Sequence, residues 1–391
     1  MSTSNKNKIL SIILLSQFCC TSLWFAGNGV MEVIIENFNL KKSALGFLTS
    51  AVQLGFISGT FLFAFYTISD RFSPSKVFFY SALASAVFNI LIVLQFNTLP
   101  TLLVFRFLTG FFLAGIYPVG MKIAADYFEK GLGKSLGLLV GALVLGTALP
   151  HLLKSINAFP SWEFVIYVTS GLSTLGGVFI YSFVPNGPYR KPALKFDFAV
   201  IYNVFKHSNF RIAAFGYFGH MWELYGFWTF LPVVLKAYKG FHKDLNFDIS
   251  LISFLVISVG ALGCVLSGYL SQKFTVKKVA ISALLVSGLC CILSPLFFVI
   301  ELHVISFTFL LIWGMAVIAD SPLFSTLVAQ NAQAEVKGTA LTIVNSIGFA
   351  VTILSIQLLN SFESKIDLKF LYLVLAIGPV FGLIHLLKKN S

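Results

Sequence analysis

Two acids, Glu223 and Asp320, stand near the middle of long apolar stretches that hold almost no other charge. A carboxylate at membrane depth is costly unless it faces a partner or a water-filled path, so chains keep one where a ligand is bound or a proton is moved. His220 lies three residues before Glu223. On a helix the two share a face and can exchange a proton. Trp313 falls two turns before Asp320 on the same helical face, and Ser321 and Pro322 follow it. A proline at that point opens a helix and frees backbone carbonyls to line a site. A fourth group, Arg106, is a cation within another apolar stretch, with a planar fork of donors suited to a carboxylate. The chemistry these types offer is reversible protonation on one set and anion binding on the other.

Such groups need elements that span a bilayer. The chain has 391 residues, of which 57% are hydrophobic and 11% charged. A soluble domain carries roughly 25% charged residues, and so few charges could not cover a water-facing surface. The 43 phenylalanines suit an exterior that faces lipid. Twelve apolar stretches are long enough to cross as helices: about 8–36, 43–69, 75–96, 99–127, 131–156, 161–184, 209–238, 246–272, 277–300, 302–330, 335–361 and 367–387. Turn signals separate them, such as Asp70-Arg71-Phe72-Ser73-Pro74 and the Pro- and basic-rich run Pro185 to Pro192. The fold class is all-α membrane protein, since a β-barrel would show short alternating segments instead. The first stretch is longer than a signal-peptide core and no small-residue cleavage site ends it.

The net charge of +12 follows topology, not a nucleic acid. With both termini in the cytoplasm, the inside connections hold about twice as many Lys and Arg as the outside ones. The expected location is the bacterial cytoplasmic membrane, crossed many times. The five cysteines fall within apolar stretches without metal-ligand spacing, which predicts free thiols. No nucleotide loop, nucleophile elbow or metal motif is present, so an enzyme, a cofactor and a bound metal are not expected.

The chain also repeats itself. Residues 185–208 form the longest inside connection and divide an N-terminal six-span half, 1–184, from a C-terminal one, 209–391. The loop Asp70–Val77 (DRFSPSKV) echoes Gln272–Val279 (QKFTVKKV). Gly110 and Pro118 of span four are spaced as are Gly314 and Pro322 of span ten, at nearly the same offset. Together these indicate a duplicated six-helix unit.

With these features the chain resembles the major facilitator superfamily. Asp70-Arg71 with Lys76 is a partial copy of the family's loop motif, with Ser73 in place of its glycine. RFLTGFFLAG (Arg106–Gly115) is similar to the family's Arg-and-glycine pattern in span four. Span five, GLLVGALVLGTALP, is Gly-rich but lacks the Gly-Pro pair of drug:proton antiporters. Longer blocks, including TSLWFAGNGVM, GHMWELYGFWTFLP and ADSPLFSTLVA, resemble a bacterial branch grouped loosely with nitrate/nitrite porters. Those porters place an arginine in each half. Here the C-terminal half has only Arg211, at the edge of span seven, which argues against nitrate.

The resemblance implies a monomeric secondary transporter whose substrate sits at mid-depth between halves that rock around it. On that basis the proton-coupling candidates are Glu223, Asp320 and His220. The substrate-binding candidates are Arg106, Tyr117, Trp24, Asn28, Gln53, Trp222, Tyr225, Trp228, Trp313 and Asn345. Tyr117 is included because an unbroken helix would put it on the face of Arg106. Asp70 and Arg71 are gate candidates, with Asp70 capping a helix across the domain interface. Lys122 is expected to pair with Asp126 one turn away, Asn89 to bond between helices, and Glu32 and Glu36 to face water. The expected activity is proton-coupled uptake of a small organic anion or zwitterion, with protons and lipid as the other partners. A proton antiporter exporting cationic or amphipathic compounds through the same acids, a metal or metal-chelate carrier using His220, Glu223 and Asp320, and a membrane receptor that binds without transport are the alternatives. Counterflow in vesicles separates the last from a carrier.

Overall fold

The computed structural model describes residues 3–128, 132–156, 161–190, 199–333 and 336–388. Both chain ends and the linker lysines Lys191 and Lys195 lie outside these residues. The helices are α1 (Thr3–Thr21), α2 (Ala26–Gly29), α3 (Met31–Asn37), α4 (Ala44–Phe65), α5 (Ile68–Arg71), α6 (Pro74–Ile90), α7 (Leu99–Leu113), α8 (Tyr117–Tyr127), α9 (Leu132–Ser155) and α10 (Glu163–Phe183). They continue with α11 (Ala199–Lys206), α12 (Ser208–Phe241), α13 (Ile249–Lys273), α14 (Val276–Leu293), α15 (Leu296–Val299), α16 (His303–Ala319), α17 (Ser321–Asn331), α18 (Lys337–Phe362) and α19 (Ile377–Leu387). A 3₁₀ helix, Leu368–Ala376, leads into α19.

Among the described residues, ten helical stretches are long and apolar enough to cross a bilayer. The other two expected spans are α1 to α3, interrupted after Thr21, and α12, which carries His220 and Glu223. The helix starts follow local chemistry. Thr98 and Thr101 form a reciprocal capping box at α7, with Pro100 in its first turn. Asp248, Thr275 and Asp367 accept backbone N–H groups at the starts of α13, α14 and the 3₁₀ helix.

The described residues form two compact units, Met1–Phe196 and Asp197–Ser391. Each uses the same helix pairings. In the first, α1 packs on α8, α9 and α10, α4 on α7, and α6 on α7 and α10. In the second, α12 packs on α17, α18 and α19, α13 on α16, and α14 on α16 and α19. The repeat is visible at single atoms. A Cβ at Gly110 would meet the carbonyl of Val52, and one at Gly314 would meet the carbonyl of Val256. Small residues are what allow helix backbones to approach closely where lipid supplies no hydrophobic drive.

Spans four and ten are each broken where a proline opens the next helix. Residues 114–116 separate α7 from α8, with Pro118 in the first turn of α8. Asp320 separates α16 from α17, with Pro322 in the first turn of α17. Proline is tolerated in a first turn because its missing N–H would have no intrahelical partner there.

The close approach predicts a sharp contrast between glycines. Gly110→Ala should destabilise the protein by about 1–3 kcal/mol, since the methyl group meets backbone that cannot move aside. Gly171→Ala, where nothing lies within 4 Å of the added carbon, should leave the melting temperature unchanged or raise it. Thermal unfolding of both variants in detergent checks the contrast; equal melting points would show that the α4–α7 contact is slack.

Candidate functional site

Arg106 comes from the second turn of α7 and is 2% exposed. It does not reach towards the membrane surface. The chain unwinds between α1 and α2, over residues 22–25, and the guanidinium fills that break. Nη2 donates to the Trp24 carbonyl at 2.7 Å and Nη1 to the Leu23 carbonyl at 3.3 Å. Nη1 also donates to Asn89 Oδ1 at 3.2 Å. The Asn89 amide then donates to Ser170 Oγ at 2.9 Å on α10. Among the described residues Arg106 has no carboxylate partner. Its positive charge is spread over carbonyl dipoles and remains uncompensated.

Around it stand several of the expected residues. The Arg106 guanidinium lies 3.7 Å from where Gly27 would carry a side chain. Trp24 is buried and its ring sits 4.7 Å from that of Phe56 on α4. Asn28 Nδ2 donates to Thr49 Oγ1 at 2.7 Å, while Asn28 Oδ1 is buried without a partner. One turn from Thr49, Gln53 is fully buried and neither its oxygen nor its nitrogen is hydrogen-bonded. Leaving such a group unmade costs about 1–3 kcal/mol, so polar capacity is stored here.

The second unit places its acids differently from the sequence expectation. His220 does not engage Glu223. Its Nδ1 lies 2.7 Å from Asp320 Oδ1, and both side chains are 1% exposed. The three-residue spacing puts His220 and Glu223 on one face of α12, but a partner on a neighbouring helix takes the imidazole. Tyr217 and Phe324 pack beside that ring. His220 Nε2 and Asp320 Oδ2 are buried without hydrogen-bond partners.

Glu223, in contrast, is well provided for. Its Oε1 accepts from Trp313 Nε1 at 2.6 Å and its Oε2 accepts from Ser287 Oγ at 2.9 Å. Trp313 therefore serves Glu223, not Asp320. The carboxylate ties α12 to α14 and α16. The Ser287 hydroxyl also lies 3.2 Å from the Leu284 carbonyl, so its single proton has two acceptors.

The remaining candidates separate. Trp222 is half-buried and donates to the Val374 carbonyl at 3.1 Å, holding the 3₁₀ helix. Tyr225 packs against Trp228 and Phe349, each with ring centroids 5.5 Å apart. Trp228 is fully buried and Asn345 half-buried. Tyr117 is half-buried in the first turn of α8. The break at 114–116 resets the helical phase, so the face it would share with Arg106 on an unbroken helix does not carry across.

In the first unit, Lys122 makes its direct ion pair with Asp70, while Asp126, the acid one turn away, acts on it through its charge. The Asp70 carboxylate is thus taken within its own unit, whereas the sequence suggested a cap across the domain interface. Arg190 donates to the carbonyls of Asp70 and Phe72 at 2.7 and 2.8 Å, closing the same loop. Arg71 is exposed, as are Glu32 and Glu36.

Sequence reasoning did not single out Ser287, Gln17 or His151. Ser287 is a hydroxyl in span nine with no local signal of its partner. Gln17 is buried with both amide atoms unpartnered beside Gly120. His151 follows Pro150 in α9, and its Nε2 is buried without a partner. A lone histidine in an apolar span is a signal that could have been used. Among the described residues, no group of three or more His, Cys, Asp or Glu side chains could hold a metal ion.

Comparison with known proteins agrees with this architecture. A probable sulfoacetate transporter of Cupriavidus necator is 26% identical over 269 residues, covering 62% of this chain and 59% of that protein. An uncharacterized protein of Campylobacter jejuni is 24% identical over 298 residues, covering 72% of this chain and 87% of that protein. An uncharacterized transporter of Escherichia coli is 27% identical over 158 residues and is covered over 39% of its length. The match therefore spans about three fifths of the first relative's length and two fifths of the last.

Among solved structures, the proton:xylose symporter XylE superposes with a TM-score of 0.74 at 16% identity, covering 98% of this chain and 95% of that one. The nucleoside transporter NupG superposes with a TM-score of 0.72 at 14% identity, covering 97% and 98%. These two show the fold alone. Residues 13–356 match the family model described as Major Facilitator Superfamily. The chain is a multi-pass membrane protein with the twelve-helix architecture of such transporters, and it belongs to the major facilitator superfamily.

Proposed function

We propose that this transporter takes up a small organic anion or zwitterion together with protons, by alternating access, in the cytoplasmic membrane with both termini inside. The observation that carries the reading is Arg106: a buried guanidinium with no carboxylate partner among the described residues. An uncompensated charge in a low-dielectric interior is costly, and a substrate anion is the natural counter-charge. Asn28 Oδ1 and the Gln53 amide add unfilled polar atoms in the same unit. They suit the hydroxyl, ammonium or second oxygen of an anionic ligand.

The second unit supplies the proton chemistry through Glu223 and the His220–Asp320 pair. Sulfoacetate, the substrate for which the probable Cupriavidus transporter is named, is a small dianion and supports this substrate class. A nitrate-type site with an arginine from each half has no support. Arg211 lies in the first turn of α12 and spends Nη1 on the Phe205 and Lys206 carbonyls. The cation-exporter reading is weakened because Glu223 already has a donor at each oxygen.

Proteoliposome uptake under an inward proton gradient tests the proposal, with sulfoacetate, acetate, malonate and taurine as trial substrates. Accumulation of one of them, abolished by a protonophore, is expected. Arg106→Gln should lower it by at least about tenfold, the effect of losing some 1.4 kcal/mol of binding, and Arg106→Lys should retain part. Export of organic cations with no anion uptake would overturn the reading.

Glu223→Gln preserves the shape of the side chain and should abolish gradient-driven accumulation while leaving counterflow. Undiminished accumulation in this variant would remove Glu223 from the proton path. Trp313→Phe deletes the 2.6 Å donor to Glu223. It should cost about 1–3 kcal/mol in a chemical or thermal unfolding titration, the penalty for a buried acceptor left unmade.

A further inference from the structure

Asn89 on α6 stands where a carboxylate would complete an ion pair. Its Oδ1 accepts from Arg106 Nη1 at 3.2 Å. Aspartate has the same shape as asparagine, and a charged oxygen there would give the guanidinium the counter-charge it lacks. Asn89 is fully buried and Arg106 is 2% exposed. Opposite charges this far from water attract strongly, so residue 89 sets the net charge around Arg106. We propose that Asn89 is a specificity-determining residue of the Arg106 site: its neutral amide solvates the guanidinium without cancelling it, and so reserves the positive charge for an anionic substrate.

The neighbouring helix selects the amide. Asn89 Nδ2 faces α10, with Ser170 Oγ at 2.9 Å, Thr169 Oγ1 at 3.3 Å and the Ile166 carbonyl at 3.4 Å. A carbonyl can only accept a hydrogen bond. The Thr169 hydroxyl directs its single proton at the carbonyls of its own helix, Val165 at 2.8 Å and Ile166 at 3.1 Å. It therefore meets Asn89 as an acceptor. This row of acceptors fixes the NH2 group towards α10 and the oxygen towards Arg106. A carboxylate would turn its second oxygen against the same acceptors. The amide alone among side chains of this shape offers an acceptor to an arginine and donors to the opposite wall. The device is complete within the first unit, from α6, α7 and α10.

Charge, more than the hydrogen bond, is what the position controls. Without Asn89 the guanidinium would keep the Trp24 carbonyl at 2.7 Å and the Leu23 carbonyl at 3.3 Å. Acids elsewhere in the unit do not replace a carboxylate here. Asp70 is engaged by Lys122, and Asp126 acts on that same lysine. Among the described residues, Glu163 in the first turn of α10 forms no ion pair with Arg106.

This inference rests on the anion reading above and names the residue that leaves its cation available. Calorimetric titration of the purified protein tests it, with sulfoacetate, acetate, malonate and taurine as probes. The pH is set at about 8.5, where a carboxyl beside a guanidinium is ionised. Asn89→Asp should weaken the probe that wild type binds by at least about tenfold, as Arg106→Gln does. Asn89→Leu removes every hydrogen bond of the amide but adds no charge. It should lower the melting temperature, yet weaken the probe by no more than about threefold. A merely structural role predicts the opposite order, because aspartate keeps the shape of the side chain and leucine does not.

Wild-type affinity in Asn89→Asp, or a loss in Asn89→Leu as large as in Asn89→Asp, overturns the inference. The anion reading then stands as long as Arg106→Gln still weakens the probe. Should Asn89→Asp yield no monodisperse protein, Asn89→Leu decides: a loss within about threefold supports the inference and a tenfold loss overturns it. If no probe binds wild type, or Arg106→Gln binds as wild type does, the anion reading falls and takes the inference with it.

Discussion

A formal charge in the hydrocarbon layer has no water to lean on, and each buried charge here had to be answered by another part of the chain. Arg106 is answered by carbonyls. The helix of span one unwinds over residues 22–25, and the groups it frees are the ones the guanidinium uses. Each feature requires the other. Without the cation, the loosened backbone would be left short of donors; without the break, the cation would face saturated helix. The carbonyls solvate the guanidinium but cannot cancel its charge. That residual charge leaves the first unit with an unbalanced cation among its described residues.

The duplicated scaffold shows how such a site arises without disturbing the fold. Gly110 and Gly314 sit in the same close contact, and Pro118 and Pro322 open the same second helix. Between these fixed points the chemistry diverges. At the offset that relates those pairs, Arg106 corresponds to Leu310, and Asp320 corresponds to Ile116 at the other unit's helix break. One unit placed a cation early in its broken span and the other placed an acid at the break itself. The packing positions are shared and the charged positions are not, so charge could change sign and place while the helix pairings stayed the same.

The hydropathy pattern made the twelve spans legible, because a bilayer demands apolar stretches of set length. The breaks at Pro118 and Pro322 and the close-packing glycines were legible for similar reasons. Partners were not. Lys122 had an acid one turn away in Asp126, yet its ion-pair partner is Asp70 on another element. His220 had Glu223 on its own face and is held by Asp320 from the break between α16 and α17. Helical spacing lists the neighbours a side chain can have along its own helix. Which of them it engages is decided by what the adjoining helix presents. The break in span one carries no proline, so the carbonyls that receive Arg106 left no mark in the sequence. Tyr117 failed for a related reason: a wheel calculation assumes one continuous helix, and three residues of turn intervene.

The two acids of the second unit illustrate why burial alone does not mark a working group. Both are equally withdrawn from the surface. Glu223 has a donor at each oxygen, and the Ser287 hydroxyl can turn between Glu223 and Leu284, so this acid remains bonded whether or not it holds a proton. Its protonation changes little around it. The His220–Asp320 pair has one internal contact and two atoms with none. There a proton would change both the net charge of the pair and its number of hydrogen-bond donors. A group whose surroundings adapt to either state can hold or release a proton while its helices stay joined, whereas a pair with unmet atoms has no neighbour placed to absorb the change.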